Sequence, residues 1–148
     1  MTCYLAESYY QLEDYEEAEA IYDKLIASDS KEPRYYQLKG RCARDAGDYK
    51  RAMDIYSQGW EATEDSMFLK DICDIYLEQG DYENALSFTE QGIAAGGDNK
   101  GDFMYQKVII YERSQDYEAA YEAVQEYCEL FPNDEDAQKE RTFLSTRI

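Results

Sequence analysis

DYEEA at residues 14–18 recurs as DYKRA at residues 48–52, as DYENA at residues 81–85 and as DYEAA at residues 116–120. The four copies begin 34, 33 and 35 residues apart and span most of the 148-residue chain. A period of this length is typical of repeat proteins, in which every repeat is one small unit of secondary structure. The fold is therefore predicted from one repeat at a time.

Each copy of the pattern lies between two stretches with helical periodicity. In the third repeat, the apolar residues before the pattern lie mostly three or four positions apart: Leu69, Ile72, Cys73, Tyr76 and Leu77. In the second repeat, the apolar residues after the pattern do the same: Ala52, Ile55, Tyr56 and Trp60. The sequence therefore predicts four pairs of α-helices and an all-α fold.

The turn between the two helices of a pair has its own chemistry. Gly47 and Gly80 can adopt the left-handed conformation that ends a helix, and the Asp that follows each can cap the next helix. Glu13 and Gln115 stand where those two copies have glycine, so we expect their turns to be less favourable. The Ala four residues after each Asp provides the small side chain that close helix packing requires.

A helix pair of about 34 residues with this Gly-Asp-Tyr turn and this Ala resembles the tetratricopeptide repeat (TPR) family. Further residues match the family at its small, aromatic and packing positions and at the proline after the last repeat: Ala6, Gly40, Cys73, Tyr9, Tyr76, Tyr111, Tyr22, Tyr56 and Pro132. Ala43 and Val108 depart from the pattern, and only one of the four repeats ends with proline. The resemblance covers nearly the whole chain.

The resemblance implies a right-handed α-α superhelix. We expect one array of four repeats, at about 1–32, 33–65, 66–100 and 101–132, followed by a capping helix at about 133–148. Nothing comparable precedes the first repeat, so we expect the chain to be cut from a longer array or to have that surface covered by a partner or a second copy. The turn tyrosines Tyr15, Tyr49, Tyr82 and Tyr117 are expected to pack between helices.

The composition argues against several classes of function. The 33 acidic and 15 basic residues give a net charge of -18, which disfavours binding to nucleic acid or to an anionic membrane. No apolar stretch is long enough to span a bilayer. The lack of a signal peptide favours the cytoplasm, while an exported or surface-anchored fragment stays open.

The sequence predicts neither an enzyme nor a cofactor or metal site. The chain contains no histidine, the usual general base near neutral pH and the commonest metal ligand. No glycine-rich phosphate loop is present. The four cysteines, at positions 3, 42, 73 and 128, match no paired metal-ligand spacing, and we expect them to be reduced core residues.

The resemblance implies a protein-binding or peptide-binding module, with the ligand on a concave face formed by the first helix of each repeat. Outward residues of those helices are our candidate contacts: Tyr4, Tyr10, Arg34, Gln37, Arg41, Arg44, Lys70, Tyr105 and Gln106. Four of them follow one another at spacings of three, four and three residues, from Arg34 to Arg44, which places a basic stripe on one helical face. Arginine pairs well with carboxylates, so an acidic segment or a C-terminal carboxylate is the expected partner.

Two alternatives stay open. Glu7, Arg41 and Asp74 occupy equivalent places in three consecutive repeats and could form a charge ladder between helices, worth little to stability. The chain could instead be a scaffold segment, or form a homodimer through its uncovered first repeat. The carboxylate-clamp subset of the family has asparagine where Glu7 lies, which argues against membership of that subset.

Overall fold

The structure, a computed structural model, describes residues 2–148. In that range the chain forms α-helices joined by short turns, and it contains no strand. The helices are α1 (Cys3–Gln11), α2 (Tyr15–Ser28), α3 (Pro33–Asp45), α4 (Tyr49–Thr63), α5 (Met67–Glu78), α6 (Tyr82–Ala95), α7 (Lys100–Arg113), α8 (Tyr117–Leu130) and α9 (Glu135–Ser145). The predicted all-α fold is confirmed, while the division into repeats stays a prediction.

The four DYxxA turns share one backbone geometry. In each, the N–H of the Asp donates to a carbonyl five residues earlier, for example from Asp48 to Ala43 at 2.9 Å, which closes a helix C-terminus. The residue before the Asp has a positive φ in all four turns: 86° at Gly47, 73° at Gly80, 60° at Glu13 and 64° at Gln115. The predicted conformation is thus present both with glycine and without it.

The Asp side chains cap the following helices in three of the four turns. Asp48, Asp81 and Asp116 each accept a hydrogen bond at 3.1 Å from the backbone N–H three residues later. Asp14 makes no such bond, although it occupies the same position before α2. The prediction of an aspartate cap therefore holds for three helices.

Residues 2–72 form one compact unit. Its core includes a cluster around the fully buried Tyr22 of α2, which packs with Ala6, Ala18 and Cys42. Gly40 lets α3 approach Tyr56 of α4, because a Cβ atom there would lie 2.3 Å from the ring. Small residues thus allow large aromatic rings to sit between helices.

Residues 73–148 form a second compact unit. One of its clusters joins α7, α8 and α9, where Val108, Val124 and Leu144 are fully buried. Helix α9 therefore buries part of its apolar surface within this unit. Its Phe143 is 46% exposed, so the outer face of this helix is not wholly polar.

The repeated small and aromatic residues differ in how far they are buried. The four turn alanines, Ala18, Ala52, Ala85 and Ala120, are all fully buried, as expected for packing residues. The turn tyrosines Tyr15, Tyr82 and Tyr117 are half-buried against core clusters. Tyr49 is exposed, which corrects the expectation that it packs between helices.

The four cysteines also differ in how far they are buried. Cys42, Cys73 and Cys128 are buried, whereas Cys3 is half-buried. Burial raises the pKa of the Cys42 thiol to about 11, the charge of Glu19 raises it further, and Arg41 opposes the shift. That thiol therefore stays protonated near neutral pH and behaves as a small apolar core group. Within residues 2–148, no helix is long and apolar enough to cross a bilayer.

Candidate functional site

An open pocket of about 550 Å³ lies in the first unit, beside helix α3. We call it the Arg41 pocket, and its lining combines residues of α3, α4 and α5: Gln37, Leu38, Arg41, Arg44, Asp45, Tyr56, Met67 and Asp71. Three of the predicted contact residues, Gln37, Arg41 and Arg44, are among them. They share the pocket because spacings of four and three residues keep side chains on one face of α3.

Arg41 contacts the Tyr10 ring, but one of its hydrogen-bond donors has no partner in the described residues. Its guanidinium carbon lies 4.2 Å from the centre of the Tyr10 ring, within the range of a cation–π contact. Its Nη2 atom is 4.0 Å from Glu7 Oε1, too far for a hydrogen bond. Its buried Nε has no hydrogen-bond partner within the described part of the chain. The side chain is 40% exposed, so a ligand in the pocket can reach it.

Tyr10 is engaged on both its ring and its hydroxyl. The hydroxyl donates a hydrogen bond to the Asp45 carboxylate on α3. This bond, together with burial and the negative charge of Asp45, raises the pKa of Tyr10 to about 12, while Arg41 opposes the shift. Tyr10 therefore keeps its proton at neutral pH, and the contact from α1 to α3 is maintained.

The lining of the pocket also includes apolar residues. Tyr56 is only 4% exposed, and burial raises the pKa of its hydroxyl, as does the negative charge of Asp71. Leu38 and Met67 add further apolar surface. The pocket thus places two arginines and two aspartates beside an aromatic ring.

The other predicted contacts of the first unit lie outside the lining of this pocket. Tyr4 is 86% exposed on α1, and Arg34 is exposed in the first turn of α3. Lys70 is half-buried on α5. These three residues are accessible or partly accessible, but the pocket itself does not bring them together.

Tyr105 and Gln106 belong to the second unit and have partners there. The Tyr105 ring packs edge-on against Tyr127, with centroids 5.1 Å apart. The Gln106 side chain donates to Asp74 Oδ1 at 3.2 Å. Of the proposed charge ladder, the Glu7 to Arg41 step is present only as a long contact of 4.0 Å.

Sequence reasoning missed several residues of the Arg41 pocket. Leu38 and Met67 carried no signal of their own, Tyr56 was assigned to packing alone, and Asp45 was not considered. Asp45 follows Arg41 by four residues, so its position on the same face of α3 could have been recognised from spacing. The involvement of α4 and α5 depends on how the helices pack, which spacing within one helix does not reveal.

Paired helices that bury small residues at their turns, with an open pocket between them, define a helical repeat protein of the kind that binds other proteins. A family model described as "Anaphase-promoting complex, cyclosome, subunit 3" matches residues 11–91, more than half of the chain. A second model, described as "Tetratricopeptide repeat", matches residues 71–135. The chain belongs to the tetratricopeptide repeat family, whose fold is generally a non-catalytic scaffold for protein interactions.

Solved structures of other repeat proteins have the same fold. MamA 41-end from Desulfovibrio magneticus RS-1 is 19% identical, with a TM-score of 0.65 that covers 97% of this chain and 81% of that one. The first TPR of Spaghetti (RPAP3), bound to the HSP90 peptide SRMEEVD, is 21% identical, with a TM-score of 0.63 covering 80% of this chain and 94% of that one.

A third structure is the Yersinia enterocolitica type III secretion chaperone SycD in complex with a peptide of the translocator YopD. It is 23% identical, with a TM-score of 0.57 covering 77% of this chain and 87% of that one. At these identities the likeness concerns the fold. No curated protein is similar enough to this sequence to match it.

Proposed function

We propose that this chain is a peptide-binding module and that its ligand places a carboxylate, from an acidic side chain or a free C-terminus, in the Arg41 pocket. The observation that carries the proposal is Arg41 itself, a guanidinium that contacts the Tyr10 ring, lines an open pocket, is 40% exposed, and has one donor, Nε, without a hydrogen-bond partner in the described residues. A carboxylate can accept two parallel hydrogen bonds from such a group. Charge-assisted hydrogen bonds of this kind are stronger than hydrogen bonds between neutral groups.

The apolar residues of the lining support a peptide as the ligand. Leu38 and Met67, both half-buried, offer apolar surface on which an aliphatic or aromatic side chain next to the carboxylate can be buried. Binding energy at peptide sites is concentrated in such anchors, with an arginine or aromatic ring at the centre. A ligand with an apolar residue next to its acidic group therefore fits best.

Two solved structures with the same fold support the proposal, because each contains a bound peptide. The first TPR of Spaghetti is bound to the peptide SRMEEVD, which is acidic and ends in aspartate. SycD is in complex with a peptide of a translocator protein. The same fold in other proteins thus provides peptide sites, one of them for an acidic peptide.

The test is binding of short peptides by titration calorimetry. A set with acidic, neutral and basic sequences, each made with a free and an amidated C-terminus, separates the two sources of carboxylate. We expect acidic or free-carboxylate peptides to bind best. Arg41→Ala should weaken them at least about tenfold, because hydrogen bonds to charged groups contribute about 1.5 to 3 kcal/mol.

Matched variants make this test specific. Lys24→Ala removes one positive charge from the exposed surface of α2 and should leave the affinity unchanged. Arg41→Lys keeps the charge but loses the two-pronged geometry, so we expect an intermediate loss. The proposed site would be contradicted if acidic, neutral and basic peptides bound with the same affinity, or if Arg41→Ala bound acidic peptides as tightly as the wild type does.

Self-association is a second candidate function, favoured by α1. Tyr4, Leu5 and Leu12 of the first repeat are 86%, 43% and 76% exposed, which leaves apolar side chains on the surface of this helix and at its end. A second copy of the chain could cover them. A dilution series in the analytical ultracentrifuge tests this, and dissociation on Leu12→Asp would support it, whereas a monomer at all concentrations would exclude it.

A further inference from the structure

We infer that Tyr10 is a positioning residue of the Arg41 pocket: its hydroxyl holds the Asp45 carboxylate away from Arg41 and so keeps that guanidinium open to an acidic ligand. The inference rests on the proposed function, because it concerns the same pocket. It gives Tyr10 a role different from the direct ligand contact that the sequence predicted.

The geometry begins with the spacing on α3. Arg41 and Asp45 are one helical turn apart and both line the pocket. Opposite charges four residues apart on a helix are within reach of each other and attract weakly. These two make no ion pair in the described structure, since Asp45 instead accepts a hydrogen bond from the Tyr10 hydroxyl.

Tyr10 reaches both groups from α1. Its hydroxyl binds Asp45, while the face of its ring lies 4.2 Å from the guanidinium carbon of Arg41. The ring itself is supported by Tyr15, with centroids 5.6 Å apart. One side chain from a neighbouring helix thus separates a carboxylate from the arginine that it would otherwise pair with.

The consequence for binding follows from competition. An Asp45 carboxylate that is free to turn would pair with Arg41 as an internal ligand, and any peptide carboxylate would first have to displace it. The Tyr10 hydroxyl removes this competitor. The pKa of Tyr10, raised to about 12, means that the hydroxyl remains a donor across the neutral range.

A double-mutant cycle tests the inference, with the peptide SRMEEVD as the probe. We expect Tyr10→Phe to weaken binding about twofold, the size of effect that a single ion pair between residues four apart on a helix surface produces. Phe keeps the ring, and with it the contacts to Arg41 and Tyr15. Adding Asp45→Asn to Tyr10→Phe should restore the affinity, because the internal competitor is then uncharged.

The control and the contradicting outcomes are defined by the same cycle. Tyr9→Phe removes a hydroxyl from the neighbouring residue of α1 and should have no effect. If Tyr10→Phe weakens binding equally with Asp45 and with Asn at position 45, the hydroxyl acts on the ligand directly and the inference is wrong. If Tyr10→Phe has no effect, the inference is also wrong.

A crystal structure of ligand-free Tyr10→Phe separates this inference from the proposed function. We expect the Asp45 carboxylate to turn to within about 4 Å of the Arg41 guanidinium, the usual limit of an ion pair. That result would stand even if no acidic peptide bound the wild type, in which case only the proposed function would fail. An Asp45 that stays away from Arg41 would overturn the inference.

Discussion

Glu13 and Gln115 adopt the left-handed conformation that Gly47 and Gly80 adopt in the other two turns. An L-residue in this region places its Cβ atom close to the following carbonyl, which costs about 1 to 2 kcal/mol. All four turns nevertheless close with the same backbone hydrogen bond of 2.9 Å. The packing of the helix pair therefore imposes the conformation, and the residue at that position tolerates it.

Glycine at these positions should stabilise the protein. We expect Glu13→Gly and Gln115→Gly each to raise the free energy of unfolding by about 1 kcal/mol, because relief of the strained φ exceeds the entropy that glycine loses on folding. Urea denaturation followed by circular dichroism measures the difference.

The reverse change provides the control. A Cβ atom at Gly47 would meet no atom within 4 Å, so Gly47→Ala adds backbone strain without a clash. It should destabilise the protein by about 1 kcal/mol. Equal stability of Gly47→Ala and the wild type would show that these turns carry no strain.

At the scale of elements, the helix pairs could be predicted from the sequence and most of the site could not. The period of the DYxxA pattern, its glycines and its buried alanines are local features, and they identify the helices and turns directly. The contacts of Tyr10 and Tyr105 depend on side chains from other helices, which local spacing does not reveal. Exposure of Tyr49 was likewise not predictable, because the same pattern position is half-buried in the other repeats.

The aspartate caps allow a prediction that compares two helices of this protein, one with a side-chain cap and one without. Asp116→Ala removes a side chain that accepts from the Ala119 backbone, and we expect a loss of about 1 kcal/mol in the free energy of unfolding. Asp14→Ala removes no such bond and should cost clearly less. Urea denaturation of the two variants makes the comparison. Equal losses would mean that Asp14 caps α2 in solution.

The junction of α7 and α9 gives a pH-dependent prediction. Burial of Glu112 and its hydrogen bond to Glu140 raise the Glu112 pKa from 4.5 to about 7. The folded state therefore holds the proton more tightly than the unfolded state, so this group's contribution to stability is lost as the pH rises from about 4.5 to about 7.

Glu112→Gln should abolish this loss of stability at higher pH, because a Gln side chain does not ionise. We expect the variant to match the wild type near pH 4.5 and to be more stable above pH 7, by about 1 kcal/mol once solvent screening of this half-exposed group is considered. Thermal unfolding at pH 5 and pH 8 measures it. Glu118→Gln, which changes an exposed glutamate of α8, should show no such pH dependence, and a Glu112→Gln effect that is the same at both pH values would contradict the shifted pKa.

At the scale of the whole molecule, the net charge of -18 opposes the ligand that the Arg41 pocket is proposed to bind. The long-range field of an acidic protein repels an acidic peptide, whereas Arg41 attracts its carboxylate only at short range. Salt screens the long-range repulsion over a Debye length of about 10 Å at 0.1 M. The association rate should therefore depend on salt through the long-range repulsion, and the dissociation rate through the short-range contact at Arg41.

We expect the association rate of an acidic peptide to rise between 20 and about 300 mM salt, because screening removes repulsion before contact is made. The dissociation rate should rise as well, since the contact at Arg41 weakens. Stopped-flow fluorescence with a labelled SRMEEVD peptide measures both rates. In Arg41→Ala, the rise in association rate should persist while the salt dependence of dissociation decreases, because the first depends on total charge and the second on one side chain. An association rate that falls with salt in the wild type would mean that the basic residues near α3, and not the charge of the whole molecule, control the approach of the ligand.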